Sequence, residues 1–233
     1  MGTIVAHAQG LVYSLVCLMP STYQAASLNA LLSLFLEEQG HALPEQTQVK
    51  SPSSLSRFLN HYDWSTGQVI RTTRACVLKQ LTAHRPHPNV PVRVLLDLTT
   101  LEKVGKFRHL SNPTEEPMVL NRWVRMLNQK RGLHLVVVYI IVGQWRVPWS
   151  FRVWRGKGYP SPVQLACKLL ASVPKALVKG RTVIVQADTE FGTVDFLNAV
   201  HNRHWRAVVG MRNNRHLTDG RQLKDLPGNA KRG

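Results

Sequence analysis

The sequence predicts an α/β protein in which a mixed β-sheet with packed helices follows a small helical domain. Two observations on periodicity predict this. Apolar residues recur at three-and-four spacing through much of residues 21–83, which is typical of helices, and beyond residue 91 they form continuous or alternating runs typical of strands. A third observation is the length of 233 residues, 44% of them hydrophobic, which suits one good-sized domain or two small ones; the change of period favours two.

Three helices are predicted in residues 21–83, after an apolar run at residues 11–19 that indicates a further buried helix. Their predicted limits are Ser21 to Gln39, ended by Gly40; a short helix opened by the cap-and-proline pair Ser51-Pro52; and a third helix opened by Ser65 or Thr66. The residues predicted to face inward are Leu28, Leu31, Leu32, Phe35 and Leu36, then Leu55, Phe58 and Leu59, then Val69, Ile70, Thr73, Val77 and Leu81.

The proline-rich segment 84–91 predicts a linker between a domain at 1–83 and a core at 92–233. In the core, residues 92–96 suit a strand that is covered on both faces and ends in Asp97. The further predicted elements are a strand at 133–142, a turn at Gly143-Gln144, an alternating strand at 145–154, a helix at 161–173, a strand at 182–187 leading into Asp188, a helix at 191–201, a strand at 205–211 and a loop at 212–233. Pro148 within the alternating strand indicates that this strand lies at a sheet edge. This order predicts a three-strand meander followed by crossover units.

The charge is strongly positive and unevenly distributed. Lys plus Arg number 30 and Asp plus Glu 13, a net charge of +17, and residues 1–49 contain no Lys or Arg. Such an excess attracts polyanions and releases their counterions, so nucleic acid is the natural partner. In that case the helices of 1–83 form either a helix-turn-helix bundle, with Ser53, Ser54 and Arg57 on the outer face of its second helix, or a plain helical cap that does not touch DNA.

The cysteines Cys17, Cys76 and Cys167 are far apart and lack CxxC spacing. This fits a reducing cytoplasm and argues against a zinc site. The apolar run at 11–19 is too short to span a membrane.

Two aspartates, Asp97 and Asp188, each follow a predicted apolar strand. Neighbouring strands lie about 4.8 Å apart and ligands bind at strand ends in open sheets, so the two carboxylates can share a divalent ion. Mg²⁺ or Mn²⁺ suits such oxygen ligands, and two such ions assist phosphoryl transfer. Taken singly, each aspartate equally fits a cap on the following loop or helix. Glu102 is a further candidate, as a metal ligand or in a surface salt bridge.

Several cations are predicted to contact DNA phosphates and so to position DNA without reading its sequence. They are Arg57 in the second helix, Arg122, Arg125, Lys130 and Arg131 before the second strand of the core, and Arg203, Arg206, Arg212 and Arg215 beyond Asp188.

Four blocks of the sequence resemble the DDE transposases of bacterial insertion sequences, in the group whose third acid lies in a Tyr-Arg-Glu-Lys signature. The block KSPSSLSRFLNHYDWS is similar to the N-terminal region of that group, VLLDLTTLEK to its first catalytic block, VIVQADTEFGTVDFL to its second, and LHLVVVYIIVGQWRVPWSFRVWRGKG to the hairpin between them. The resemblance implies a ribonuclease H-like core, Asp97 and Asp188 as the first two catalytic metal ligands, and Mg²⁺ or Mn²⁺ as the cofactor, with a two-metal site only in the complete protein.

The resemblance also implies DNA transposition, by strand cleavage and strand transfer at insertion-sequence ends. Its implied partners are terminal repeats and target DNA, with a homodimer as one possible assembly, no membrane, and a bacterial cytoplasmic, nucleoid-associated location. The third ligand of the family is a glutamate well downstream, whereas Glu190 is the last glutamate here and only Asp195, Asp219 and Asp225 follow it. We therefore expect a truncated core that is inactive alone. The alternatives are a non-catalytic DNA-binding fragment that inhibits a full-length relative, and a basic nucleic-acid-binding protein without nuclease ancestry.

Overall fold

The computed structural model describes residues 2–37, 47, 49–84, 86–102, 125–127, 130–156, 158–216 and 219–225. The chain divides into two compact units, Met1–Ala83 and His84–Gly233. Within the described residues, no helix combines the length and the apolar character needed to cross a membrane.

The first unit is helical, with α1 at Gly2–Val16, α2 at Thr22–Glu37, α3 at Pro52–His61 and α4 at Thr66–Ala83. The start of α3 follows from local chemistry, because the Ser51 side chain accepts a hydrogen bond from the Ser54 amide and Pro52 occupies the first helical turn. The core of the unit is an apolar cluster formed by Leu15, Leu28, Ala30, Leu31, Leu55 and Phe58.

The structure corrects several predictions for this unit. The helix predicted from the run at 11–19 begins at Gly2 and ends at Val16. Two residues predicted to face inward are exposed, Phe35 by 54% and Leu59 by 46%. Ser54, predicted on the outer face, is buried and hydrogen-bonds the hydroxyl of Tyr23. A helical repeat alone does not show how wide the covered face is, so residues at its margin were misassigned. The predicted stop at Gly40 lies outside the described residues.

The second unit is built on a six-stranded mixed sheet within the described residues. Its elements in chain order are β1 at Val92–Glu102, β2 at Arg125–Leu127, β3 at Lys130–Val142, β4 at Trp145–Trp154, α5 at Pro162–Leu170, α6 at Lys175–Val178, β5 at Val183–Ala187, α7 at Val194–His201 and β6 at Arg206–Val209. Short 3-10 turns cover Thr189–Phe191 and Leu223–Asp225.

The sheet combines antiparallel and parallel pairing, which confirms the predicted mixed sheet. β1 pairs with β3 antiparallel and with β5 parallel, and β5 pairs with β6 parallel. β3 pairs with β1 along one of its edges, and β2 and β4 both pair antiparallel with β3 along its other edge. Among the described strands β4 pairs only with β3, so Pro148 lies in an edge strand as expected. The helix α5 contacts β3 and β4, and α7 contacts α5 and β6.

The alternation predicted for residues 145–154 breaks at Trp149. The register of β3 with β4 moves from Val138 opposite Ser150 to Tyr139 opposite Pro148, so Trp149 is an extra residue in a β-bulge. Trp149 is buried and its indole Nε1–H donates to the Ser172 carbonyl at 2.8 Å. The bulge reverses which residues face inward, and Phe151, predicted to share the face of Trp149, is 54% exposed.

Other boundaries also differ from the predictions. The strand predicted to end at Asp97 continues to Glu102, because residues 97–102 remain paired with β3. The helix predicted from residue 191 begins at Val194, where the Thr193 side chain accepts a hydrogen bond from the Phe196 amide. The predicted loop at 212–233 contains a 3-10 turn and a bridge between His216 and Gln222.

The segment predicted as a linker is attached to the second unit. The Arg181 guanidinium donates to the carbonyls of Pro86 and Val90, the latter at 3.1 Å. The amide of Val92 then donates to the Thr182 carbonyl at 2.9 Å. These bonds tie the residues before β1 to the residues before β5.

Candidate functional site

Asp97 and Asp188 occupy neighbouring positions on two parallel strands. Leu96 in β1 is paired with Ala187 in β5, and the two aspartates are the next residues along each chain. Asp188 keeps an extended backbone, with φ −80° and ψ −173°, so it continues the direction of β5. Adjacent strands lie about 4.8 Å apart, and registered partners point to the same face of a sheet. The register therefore brings the two carboxylates together on one face.

The two carboxylates have different surroundings. Both side chains are exposed. Asp188 Oδ1 accepts a hydrogen bond of 3.0 Å from the Glu190 amide, which caps the 3-10 turn, so the capping interpretation holds for this residue. The Asp97 side chain forms no hydrogen bond or ion pair with any described residue. One Asp188 oxygen is committed to the cap, and within the described part of the chain the second oxygen and both oxygens of Asp97 have no hydrogen-bond partner.

A close backbone contact fixes the loop that carries Asp188. The Gly210 amide donates to the Ala187 carbonyl at 3.0 Å, directly before the aspartate. A Cβ on Gly192 would lie 2.5 Å from the Gly210 carbonyl oxygen, and a Cβ on Gly210 would lie 2.9 Å from Thr189 Cγ2. Only glycine fits at this approach, so the loop after β5 is held against the chain leaving β6.

The register also aligns three arginines on the face that carries the aspartates. Arg146, Ile141, Arg93, Ile184 and Arg206 are consecutive partners across β4, β3, β1, β5 and β6. Arg93 lies four residues before Asp97 on the same strand, and side chains of a strand alternate between faces, so both point to one side. The three arginine side chains are exposed and follow every second strand, about 10 Å apart. We call Arg146, Arg93 and Arg206 the arginine row.

Sequence reasoning missed two members of this row, Arg93 and Arg146. The period-two alternation from Asp97 back to Arg93 was a usable signal, because it places both on one face. Arg146 had no such signal, since its alignment depends on the pairing of β3 with β4 and on where the bulge falls. Only Arg206 of the row was among the predicted DNA contacts.

The other predicted cations are distributed over several surfaces. Arg57 is exposed on α3, and Arg215 is exposed after β6. Arg203 donates to the Ala199 carbonyl at 2.6 Å, which closes the end of α7. Arg212 forms an exposed ion pair with Glu190 at 3.8 Å. The residues that the structure places at the β2–β3 hairpin are Arg125, Lys130 and Arg131, whereas Arg122 lies outside the described residues.

The described residues supply no third metal ligand at this site. Among them, no group of three His, Cys, Asp or Glu side chains is close enough to hold an ion. The backbone of Glu102 pairs with Gly132 at the far end of β1, five residues and roughly 17 Å along the strand from Asp97. Asp219 is paired with Arg221, whose hydrogen bonds hold the pKa of that carboxyl below its ordinary value.

Two adjacent, exposed carboxylates form a donor set that fits Mg²⁺ or Mn²⁺. Magnesium sites are commonly built from one or two carboxylates, with waters and substrate phosphates completing the shell. The donors are hard oxygens, and among the described residues only the Glu190 amide hydrogen-bonds a carboxylate oxygen of the pair, Asp188 Oδ1. Asp97 and Asp188 would hold the ion, which would polarise a phosphate oxygen or activate a nucleophilic oxygen there.

The comparisons with solved structures find DNA transposases. The piggyBac transposase synaptic complex with hairpin DNA is 13% identical, with a TM-score of 0.37, and the match covers 90% of this chain and 42% of that chain. The Mos1 strand transfer complex is 13% identical, with a TM-score of 0.27, and covers 81% of this chain and 58% of that one. The Mos1 paired-end complex with the left transposon end is 11% identical, with a TM-score of 0.28 and coverages of 81% and 59%.

The chain thus spans about half the length of the transposase chains it matches. No family model matches the sequence. No curated protein matches it either.

Proposed function

We propose that this chain carries the first two metal-binding carboxylates of a DNA transposase with a ribonuclease H-like core. The single observation that carries the proposal is the registered placement of Asp97 and Asp188 on adjacent parallel strands, on one exposed face. The strand arrangement supports it, since an antiparallel meander of β1, β3 and β4 continues into the parallel pairs of β1 with β5 and β5 with β6.

The chemistry proposed for the site is metal-dependent cleavage and joining of DNA strands. Mg²⁺ or Mn²⁺ held by Asp97 and Asp188 would lower the barrier to phosphoryl transfer by stabilising charge on the reacting oxygens. The arginine row faces the same side, where its three guanidinium groups would neutralise phosphates of bound DNA. We propose insertion-sequence ends and target DNA as the substrates.

The metal site is tested by Mn²⁺ titration of the protein, followed by calorimetry, with Asp97→Asn and Asp188→Asn. The asparagine oxygen can still accept the hydrogen bond from the Glu190 amide, so Asp188→Asn removes the charge and preserves the cap. Each variant should weaken Mn²⁺ binding by at least about tenfold, because one of two charged ligands is lost. The matched control is Asp195→Asn, an exposed aspartate on α7. Equal affinities in all four proteins would contradict the proposal.

A second candidate is a DNA-binding protein without catalytic activity. The observation that favours it is that no third acid joins Asp97 and Asp188 among the described residues. The two candidates differ in one outcome. A catalytic site gives Mg²⁺-dependent cutting or joining of a DNA substrate that Asp97→Asn abolishes with DNA binding intact. A non-catalytic protein binds the same DNA and leaves it unchanged.

A further inference from the structure

A pocket opens at the edge of the sheet beside β4. It has a volume of about 390 Å³ and is lined by Phe151, Arg152, Val153, Arg155, Tyr159, Pro160 and Leu165. The lining comes from the second half of β4, from the residues that lead into α5, and from Leu165 within α5. This volume lies within the range of pockets that hold small organic groups.

The chemistry of the lining is aromatic and cationic. Phe151 is 54% exposed, and the Arg155 guanidinium carbon lies 6.0 Å from the centroid of the Tyr159 ring. Arg152 is exposed on the opposite face of β4, because side chains alternate along a strand, and none of the described lining residues is acidic. Aromatic rings stack on the flat faces of bases, and guanidinium groups both stack and bind phosphate, so this combination suits a nucleotide.

One lining residue of the pocket, Phe151, lies on the same face of the sheet as Asp97. Phe151 is the registered partner of Val137, and Val137 is the registered partner of Asp97. All three therefore share one face, and Phe151 is two strands, or about 10 Å, from Asp97. A stacked strand advances about 3.4 Å per nucleotide, so this distance corresponds to roughly three nucleotide steps. The bulge at Trp149 makes this placement possible, because it puts Phe151 on the face of Asp97.

We propose that this pocket binds an unpaired nucleotide of a DNA strand that runs from the aspartate pair to the sheet edge at β4. The base stacks on Phe151 and Tyr159, and Arg155 binds the adjoining phosphate. This inference rests on the proposed function, since it assumes that DNA lies against Asp97 and Asp188. It adds a site for single-stranded DNA at an opened or cleaved end.

The test compares binding of a blunt DNA duplex with binding of the same duplex carrying a short thymine overhang, by fluorescence anisotropy on the full chain. The wild-type protein should bind the overhang duplex more tightly than the blunt one. Phe151→Ala should lower the affinity for the overhang duplex alone, by roughly 5- to 150-fold. The matched control is Phe35→Ala, because Phe35 is also 54% exposed but lies on α2. Thermal unfolding checks that both variants remain folded.

A third duplex has an overhang of abasic sites, which keeps the phosphates and removes the bases. With this duplex, the protein should bind no more tightly than it binds the blunt duplex. The nucleotide pocket would be overturned if the gain in affinity persists when the overhang has no bases. It would also be overturned if Phe151→Ala weakens binding of the blunt and overhang duplexes by the same factor. If the wild-type protein binds none of the duplexes, the proposed function itself fails. If the wild-type protein binds all three duplexes with equal affinity, the pocket proposal is contradicted and the proposed function is not.

Discussion

Asp188 both caps the turn after β5 and is a candidate metal ligand. Its Oδ1 caps the turn after β5, and its position beside Asp97 depends on the parallel register. The cap orients the carboxylate, because the hydrogen bond from the Glu190 amide fixes one oxygen. A capping aspartate and a metal-binding aspartate are therefore compatible interpretations of the same residue.

Cys167 on α5 illustrates how burial sets the reactivity of a single side chain. Burial raises the pKa of its thiol, and the Asp195 carboxylate raises it further, against the opposing effect of the Arg203 guanidinium. The thiolate is the reactive form, so a raised pKa moves the reaction of this cysteine to higher pH.

We expect alkylation of Cys167 to keep accelerating with pH beyond the range where an ordinary cysteine reaches its plateau. Asp195→Asn should shift the midpoint of this profile to lower pH, because it removes a negative charge that disfavours the thiolate. Iodoacetamide labelling followed by peptide mass spectrometry measures the labelling rate of Cys167 in the wild-type protein and in Asp195→Asn, with free glutathione as the reference thiol. Overlapping pH profiles for Cys167 and glutathione would contradict the expectation.

At the scale of elements, the packing of two loops determines where Asp188 lies. The turn after β5 and the chain leaving β6 approach so closely that Gly192 and Gly210 have no room for a side chain. This contact joins the end of β5 to the end of β6, next to the hydrogen bond from the Gly210 amide to the Ala187 carbonyl.

Gly192→Ala should therefore lower the free energy of unfolding by about 1–3 kcal/mol, because the added Cβ would lie 2.5 Å from a backbone oxygen that cannot move freely. Urea unfolding measures the change. The control is Gly10→Ala in α1, where a Cβ meets nothing within 4 Å and where alanine should stabilise the helix by up to about 1 kcal/mol. Unchanged stability in Gly192→Ala would show that the loop moves aside. The same variant should weaken Mn²⁺ binding if the loop position governs the site.

At the scale of the whole molecule, the charge and the candidate site belong to the same unit. Of the net charge of +17, residues 1–83 contribute +1 and residues 84–233 contribute +16. The arginine row, the aspartate pair and the pocket beside β4 are all in this second unit. Binding of a polyanion by charge is therefore expected to depend mainly on residues beyond 83.

We expect the affinity for duplex DNA to fall steeply with salt. The double variant Arg93→Gln/Arg146→Gln should reduce the slope of log affinity against log salt by about 2, roughly one for each phosphate that an arginine no longer neutralises. The matched control is Arg71→Gln/Lys79→Gln, which removes two exposed cations of α4. Anisotropy titrations at several salt concentrations give the slopes. A larger change in the α4 variant than in the sheet variant would place the DNA on the first unit.

The sequence by itself determined most of the helical and strand segments, although not β2 or α6, together with the change of period near residue 91, the excess of positive charge and the two aspartates. These depend on local signals: caps such as Ser51 and Ser161, alternation along a strand, and composition. Only the tertiary structure decided that Asp97 lies inside β1, that Arg93 and Arg146 align with Arg206, and that Phe151 faces the aspartate side. The physical reason is that register and bulges arise from pairing between distant segments, and one extra residue at Trp149 reverses the face of every side chain beyond it.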